Sequence, residues 1–390
     1  MASKEVNIWA ALSASGLLVT AAFPKASLDW LAWLALVPLL GALNGASAGE
    51  AYRRGFIFGL VHFASLLYWL VPTMVIYGHL PAPLAVGILL LFAAVLSLIF
   101  VAPMTCAFVA AGRTPLSAWC LFPVMWVGFE YLRSFLFTGF PWALLGYSQI
   151  PRLQLIQLSD IVGVYGVSAL IALANGALFM GWLALRGGAW QGRRVGRRLA
   201  VAGISAAAGL AALVWGYGEL RIREIDRISA AAPVVRAAVI QGNIAQSQKW
   251  DPAFQAATIE TYIRLSLAIR DQNPELIVWP ESSAPFYFLR EVPPTRMLLA
   301  GVAAADTYFV IGAPAFEQRG PETDYYNRAY LLGPGGRVLG HYDKSHLVPF
   351  GEYTPYKEYL PFLGKMVAHV GDFVAGPKGR TLTWNGRTLG

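Results

Sequence analysis

The stretch GFIFGLVHFASLLYWLVPTMVIYGHLPAPLAVGILLLFAAVLSLIFVAPMTCAFVAAG, Gly55–Gly112, contains no Asp, Glu, Lys or Arg. A soluble domain of that length would carry about fourteen charges at the usual frequency. One bilayer span needs about 20 apolar residues, so the run is long enough for two. His79-Leu80-Pro81-Ala82-Pro83 supplies the turn between them. Similar uncharged runs lie at Val6–Pro24, Trp30–Gly49, Thr114–Phe129, Ile161–Leu185 and Leu199–Gly218. The expectation is therefore about seven transmembrane helices. The fifth is the weakest, because it meets Glu130 and Arg133 near its end. The first reads as a retained span rather than a cleaved signal, since six more follow.

Composition places this run in context. The 390 residues are 56% hydrophobic and 13% charged, with a net charge of +8. Mean hydropathy is +0.52. These values exclude a disordered, collagenous or disulfide-framework chain. The charge is uneven: residues 1–218 hold 12 Lys/Arg and 5 Asp/Glu, while residues 219–390 hold 18 and 17. The chain thus reads as a membrane domain (1–218), a charged connector of helical spacing (219–233) and a near-neutral domain (234–390).

Orientation follows from the basic residues of the short loops. With the N-terminus inside, the inner loops hold Lys4, Arg53, Arg54, Arg113, Arg186, Arg193, Arg194, Arg197 and Arg198. Lys25, Arg133 and Arg152 fall outside. The basic run Arg193–Arg198 reads as a topology anchor rather than a nucleic-acid site, so no nucleic-acid partner is expected. After seven spans the second domain emerges outside. Asp160, beside the sixth span, reads as a helix N-cap. Cys106 and Cys120 read as small buried hydrophobes in or beside spans.

After Pro233 the pattern changes to alternating strands and helices. Val234–Ile240, Leu276–Trp279, Tyr308–Gly312 and Tyr326–Leu332 read as strands. Pro252–Asp271 and Thr295–Ala305 read as helices. This order argues for α/β layers. Sites in such sheets gather at the carboxyl ends of strands, and Glu281 follows one such end directly. Lys344, in His341–Leu347, and Glu352, in Val348–Tyr353, lie in later loops. Each alone also fits an ordinary solvated side chain. His341 and His346 read as loop or site-wall residues; no metal or cofactor is expected.

Taken together, Trp279-Pro280-Glu281 after an apolar strand and Tyr342-Asp343-Lys344 later resemble the nitrilase (carbon–nitrogen hydrolase) superfamily. Joined to a multi-span half, the chain resembles the apolipoprotein N-acyltransferase family. The segments similar to it are Gly139–Gln149, Gly163–Ser168, Gln241–Ile244, Lys249-Trp250, Tyr326-Asn327 and Lys344–Tyr353. The resemblance implies a multi-span α-helical membrane domain plus an α/β nitrilase-like domain, an α-β-β-α sandwich incomplete at its C-terminus. It implies a Glu–Lys–Cys triad: Glu281 as general base and acid, Lys344 stabilising an oxyanion, Glu352 supporting Lys344. Trp250, Asn327, Trp142 and Tyr353 would bind substrate. The acyl donor would be a glycerophospholipid and the acceptor a diacylated lipoprotein, joined through a Cys thioester. A monomer in the bacterial inner membrane, with the catalytic domain facing the periplasm, is implied.

The family's nucleophile follows a strand some fifty residues after Lys344, beyond Gly390. On that reading the 390 residues alone are expected to be inactive. Two rival readings stay open: a membrane-tethered amidase with water as acceptor, and a non-catalytic membrane scaffold or transporter. The near absence of ionisable residues in the spans argues against ion-coupled transport.

Overall fold

The computed structural model describes residues 2–349, 351–356 and 372–390. It divides into two compact units, Met1–Ala231 and Ala232–Gly390.

The first unit is helical. It holds α1 (Ala2–Ala21), a 3-10 turn (Asp29–Trp33) before α2 (Val37–Leu43), α3 (Ala48–Leu66), α4 (Leu70–Ile76), α5 (Ala82–Leu96), α6 (Ala102–Ala111), α7 (Pro115–Phe135), α8 (Leu153–Ile156), α9 (Ser159–Leu185) and α10 (Arg197–Ala231). Each apolar run of the sequence is a helical segment here. Among the described residues, four helices are long and apolar enough to cross a bilayer: Ala82–Ala111, Pro115–Thr138, Ser159–Leu185 and Arg197–Ala231. Helices α3 and α4 make a fifth as a pair bent by 50°. Pro72, in the first turn of α4, has no N–H to return to the preceding turn, which accounts for the break. The segments Glu5–Ala21 and Asp29–Leu43 are shorter.

Polar groups inside this unit are used as ties. Asn175 of α9 accepts from Leu36 N–H at 2.9 Å and donates to Ala32 O at 2.8 Å, closing the interrupted segment before α2. Helices α3 and α6 meet through small residues, which lets their backbones approach. A Cβ at Gly55 of α3 would lie 3.0 Å from Thr105 Cβ of α6.

Several local expectations are corrected. Asp160 is not an N-cap; it lies in the first turn of α9 and accepts from Tyr217 Oη at 2.8 Å and Arg221 Nε at 2.8 Å on α10. Arg133 is not a loop residue but is buried in the last turn of α7. Cys106 on α6 is half-buried and Cys120 on α7 is exposed, so neither is the fully buried small hydrophobe expected. Residues 219–231 continue α10 without a break, and the unit boundary falls after them. Arg193-Arg194 forms β2, paired with β1 (Ala189–Trp190), and Arg197-Arg198 opens α10.

The second unit is an α/β layer structure. After β3 (Ala237–Val239) come α11 (Gln246–Lys249), α12 (Gln255–Ala268), β4 (Leu276–Val278), α13 (Val292–Ala305), β5 (Tyr308–Arg319), β6 (Glu322–Leu332) and β7 (Val338–Asp343). The five strands form one sheet in the order β3-β4-β5-β6-β7. The first three run parallel, β6 is antiparallel to β5, and β7 is antiparallel to β6. On one face α12 and α13 bury Ile259, Leu298 and Val302 against Ile277, Phe309 and Ile311. On the other face lies the hairpin β8 (Leu382–Trp384) and β9 (Arg387–Leu389), with Trp384 packed on Leu276 and Leu331. The helical region and the α/β unit expected from the sequence are both present. Strand β3 is shorter than the Val234–Ile240 expected, and β5 runs on to Arg319 because its long antiparallel ladder with β6 continues past the parallel part of the sheet.

Candidate active site

Glu281 stands two residues beyond Trp279, at the carboxyl end of β4. The strand is anchored from below. Trp279 stacks on Tyr262, ring centres 5.1 Å apart, and its Nε1 donates to Ser266 Oγ at 2.9 Å. Its backbone N–H continues the ladder to Val310 O. Ser283 Oγ lies 3.3 Å from both the N and the O of Gly312, tying the turn after Glu281 to β5.

Two more strands bring the partners. Asn327 lies on β6, and Lys344 directly follows β7. The N–H of Lys344 donates to Asn327 O at 2.9 Å. Glu352 closes a short loop on itself, with Oε2 accepting from Val348 N–H at 2.8 Å. Its carbonyl accepts from Phe373 N–H at 2.9 Å. Phe350, within that loop, lies outside the described residues.

These four side chains form one network. Lys344 Nζ donates to Glu281 Oε1 at 3.2 Å and to Glu352 Oε1 at 3.0 Å. Asn327 Nδ2 donates to Glu352 Oε1 at 2.7 Å and also to Glu281 Oε1. An amide nitrogen has two hydrogens, and both are used on carboxylates. One cation and one amide thus serve two acids. The acids differ in setting: the side chain of Glu281 is 62% exposed and that of Glu352 11%.

The electrostatics follow from this arrangement. Burial alone would lower the Lys344 pKa, but hydrogen bonds to Glu352 and Glu281 outweigh it and hold the ammonium above the usual lysine range. Burial alone would raise Glu352, but the Val348 N–H, Asn327 and Lys344 hold it below the usual carboxylate range. At neutral pH Lys344 is therefore charged and Glu352 ionised. Glu352 is held by its own loop backbone as well, while Glu281 stands at the exposed side of the network.

Lys249 has no role of its own in the sequence reading beyond the Lys249-Trp250 segment of the resemblance. Its Nζ donates to the Glu281 carbonyl at 3.1 Å. Burial lowers its pKa, partly offset by the charge of Glu281. Trp250 is half-exposed beside it, and Tyr353 is held by a backbone bridge to Pro349. Asn327, expected to contact substrate, donates to both acids.

Trp142 belongs to the helical unit. It stacks on Trp69 and Phe140, ring centres 5.1 Å and 5.3 Å apart. Its loop is clamped by the two ionisable residues of α7. Arg133 Nη1 donates to Trp142 O at 2.8 Å and Phe140 O at 3.3 Å. Glu130 Oε1 accepts from Leu145 N–H at 2.7 Å and Trp126 Nε1 at 3.0 Å. What weakened the fifth span in the sequence is thus what holds the aromatic loop. Among the described residues, no group of three or more His, Cys, Asp or Glu could hold a metal ion.

Comparison with known proteins covers both units. The family model of the apolipoprotein N-acyltransferase N-terminal domain matches residues 15–177, and that of carbon-nitrogen hydrolase matches residues 236–382. The chain is 42% identical over 369 residues to apolipoprotein N-acyltransferase of Geobacter metallireducens, covering 93% of this chain and 68% of that protein. It is 32% identical over 370 residues to apolipoprotein N-acyltransferase of Methylococcus capsulatus, covering 94% of this chain and 69% of that one. The crystal structure of a carbon-nitrogen hydrolase from Helicobacter pylori G27 is similar at 19% identity and a TM-score of 0.26, over 39% of this chain and 48% of that one.

Proposed function

The chain belongs to the apolipoprotein N-acyltransferase family, and on that premise we propose that it transfers an acyl chain from a glycerophospholipid to the α-amine of a diacylglyceryl-Cys lipoprotein. The observation that carries the mechanism is the sharing of Lys344 and Asn327 by Glu281 and Glu352. A cysteine thiol needs a base to attack at neutral pH. Glu281, at the exposed side of the network, takes that proton. The thiolate adds to the ester carbonyl, and the oxyanion is met by the Lys344 ammonium. The C–O bond breaks, the lysophospholipid oxygen takes the proton back from Glu281, and a thioester remains. The amine then adds to the thioester, Glu281 accepts its proton, the C–S bond breaks and the thiolate leaves. Glu352 and Asn327 hold Lys344 and Glu281 in place throughout.

The nucleophile in this reading is the cysteine of the family's triad; Cys106 and Cys120 lie on α6 and α7 of the helical unit. Trp250, Tyr353 and Trp142 line the routes of the lipid substrates. The protein lies in the bacterial inner membrane with the α/β unit on the periplasmic side. Nine basic residues in the inner loops, against Lys25 and Arg152 outside, support that orientation.

The test supplies radiolabelled phospholipid and a diacylated lipopeptide to the full-length protein in detergent. Label should reach the lipopeptide, and Glu281→Gln should lower the rate roughly 10²–10⁴-fold, the usual range for a general base. Release of ammonia from amides without lipopeptide labelling would favour the amidase reading instead.

A further inference from the structure

A second charged cluster of the α/β unit lies behind the candidate acids, on the opposite face of the sheet. Arg328 of β6 and Asp343 of β7 stand opposite one another in the ladder. Arg328 Nε donates to Asp343 Oδ1 at 2.5 Å, and Nη2 donates to Oδ2 at 3.1 Å and to Glu317 Oε1 at 2.6 Å. Arg328 is 7% exposed and Asp343 5%. The guanidinium lies 5.2 Å and 5.9 Å from the ring centres of Tyr326 and Tyr330, which belong to the core with α12 and α13.

A buried ion pair is a poor stabiliser compared with an apolar pair of similar volume; its best-attested use is to specify register. Register has a concrete meaning here. Asn327 precedes Arg328, and Lys344 follows Asp343. Successive residues of a strand face opposite sides, so Asn327 and Lys344 both turn to the face of the acids. A slip by one residue would carry one of them to the helix-covered face. The backbone ladder does not forbid such a slip. Leu331 pairs with Gly340 and Leu332 with Val338, so β6 and β7 already change register once, near their other end.

We propose that Arg328 and Asp343 are a positioning pair that pins the β6–β7 register and so keeps Asn327 and Lys344 together on Glu281 and Glu352. The proposal rests on the catalytic reading of those four residues. The pair touches no reacting atom; it acts through the strands.

The test is the double variant Arg328→Met/Asp343→Leu in the full-length protein. An apolar pair keeps the core filled and Glu317 remains solvated, so the unfolding temperature should stay at or above that of the parent. Acyl transfer should lose about a hundredfold in kcat, as expected for misplaced groups, with KM for the phospholipid unchanged. Exchange of the Lys344 amide hydrogen should be about tenfold faster or more, reporting local opening. Arg328→Lys, which keeps the charge but not the two-pronged grip, should fall between. An unchanged kcat in the folded double variant, or unchanged exchange at Lys344, overturns the proposal. The exchange measurement needs no substrate. Faster exchange together with a fully active Glu281→Gln variant would therefore sink the catalytic reading while leaving the register role standing.

Discussion

Gly312 lies so close beneath Glu281 that a Cβ built on it would come 2.9 Å from the Glu281 Cα and 2.7 Å from the Ser282 nitrogen. These are backbone atoms, so they cannot rotate aside. Gly312→Ala should therefore push the Glu281 turn outward. Overpacking of this kind costs roughly 1–3 kcal/mol. The larger effect should be on rate, about a hundredfold in kcat for a displaced base. Steady-state kinetics beside a thermal melt checks it; a variant with parental kcat would show that Glu281 does not need its present position.

Asn327 sets the acid limit of the site. Glu352 has a folded pKa below its ordinary value, in part because Asn327 donates to it. The stabilisation from such a group is present above the unfolded pKa and is lost as pH falls through the folded one. Asn327→Leu, close in size but without donors, should raise the folded pKa of Glu352. Acid destabilisation should then begin at higher pH than in the parent. Unfolding temperatures measured across pH 3 to 6, the range of ordinary carboxylates, compare the two; superimposable profiles would contradict the role given to Asn327.

The two lysines should part company on the alkaline side. Lys344 is raised, so its contribution is complete below the ordinary lysine pKa and lost only as pH rises through a still higher value. Lys249 is lowered by burial and loses its proton first. With increasing pH, an amine-reactive reagent should label Lys249 before Lys344, read by peptide mass spectrometry. Labelling in the reverse order would mean that the burial of Lys249 does not govern its charge.

Arg133 and Glu130 should differ in what their loss does to the loop they hold. Arg133→Met removes the donor from two carbonyls in part-buried bonds, at Phe140 and Trp142, which should cost roughly 1 kcal/mol each. Glu130→Gln keeps an acceptor oxygen for Leu145 N–H and Trp126, so it should cost less. Melting in detergent and limited proteolysis between Gly139 and Gly146 would rank the two. Equal stability and equal cleavage would remove the clamp from the account.

The candidate acids were legible because chemistry leaves a linear trace at strand ends. Trp279-Pro280-Glu281 after an apolar strand and Asp343-Lys344 in a polar loop are local patterns. Gly312 was silent, since a glycine in a strand carries no sign of what lies above it. Arg328 and Asp343 were silent for a related reason: a charged residue on a strand looks solvated until its cross-strand partner is known. Asn327 reads as a substrate contact in the sequence; its bonds to the two acids are not legible there, because those partners are 46 and 25 residues away.

The sequence by itself determined the division of the chain. Bilayer and water impose opposite rules on composition, and those rules act on every residue of a run, so a charge-free stretch such as Gly55–Gly112 declares its solvent without any partner. It also determined the alternation of strands and helices after Pro233, since periodicity is a property of neighbours. Only the tertiary structure decided that Lys344 and Asn327 are shared between Glu281 and Glu352, that Arg133 turns inward to hold a loop, and that Asp160 ties two helices rather than capping one. Hydrogen bonds extend over about 3 Å, and which distant groups come within that reach depends on strand register and helix packing.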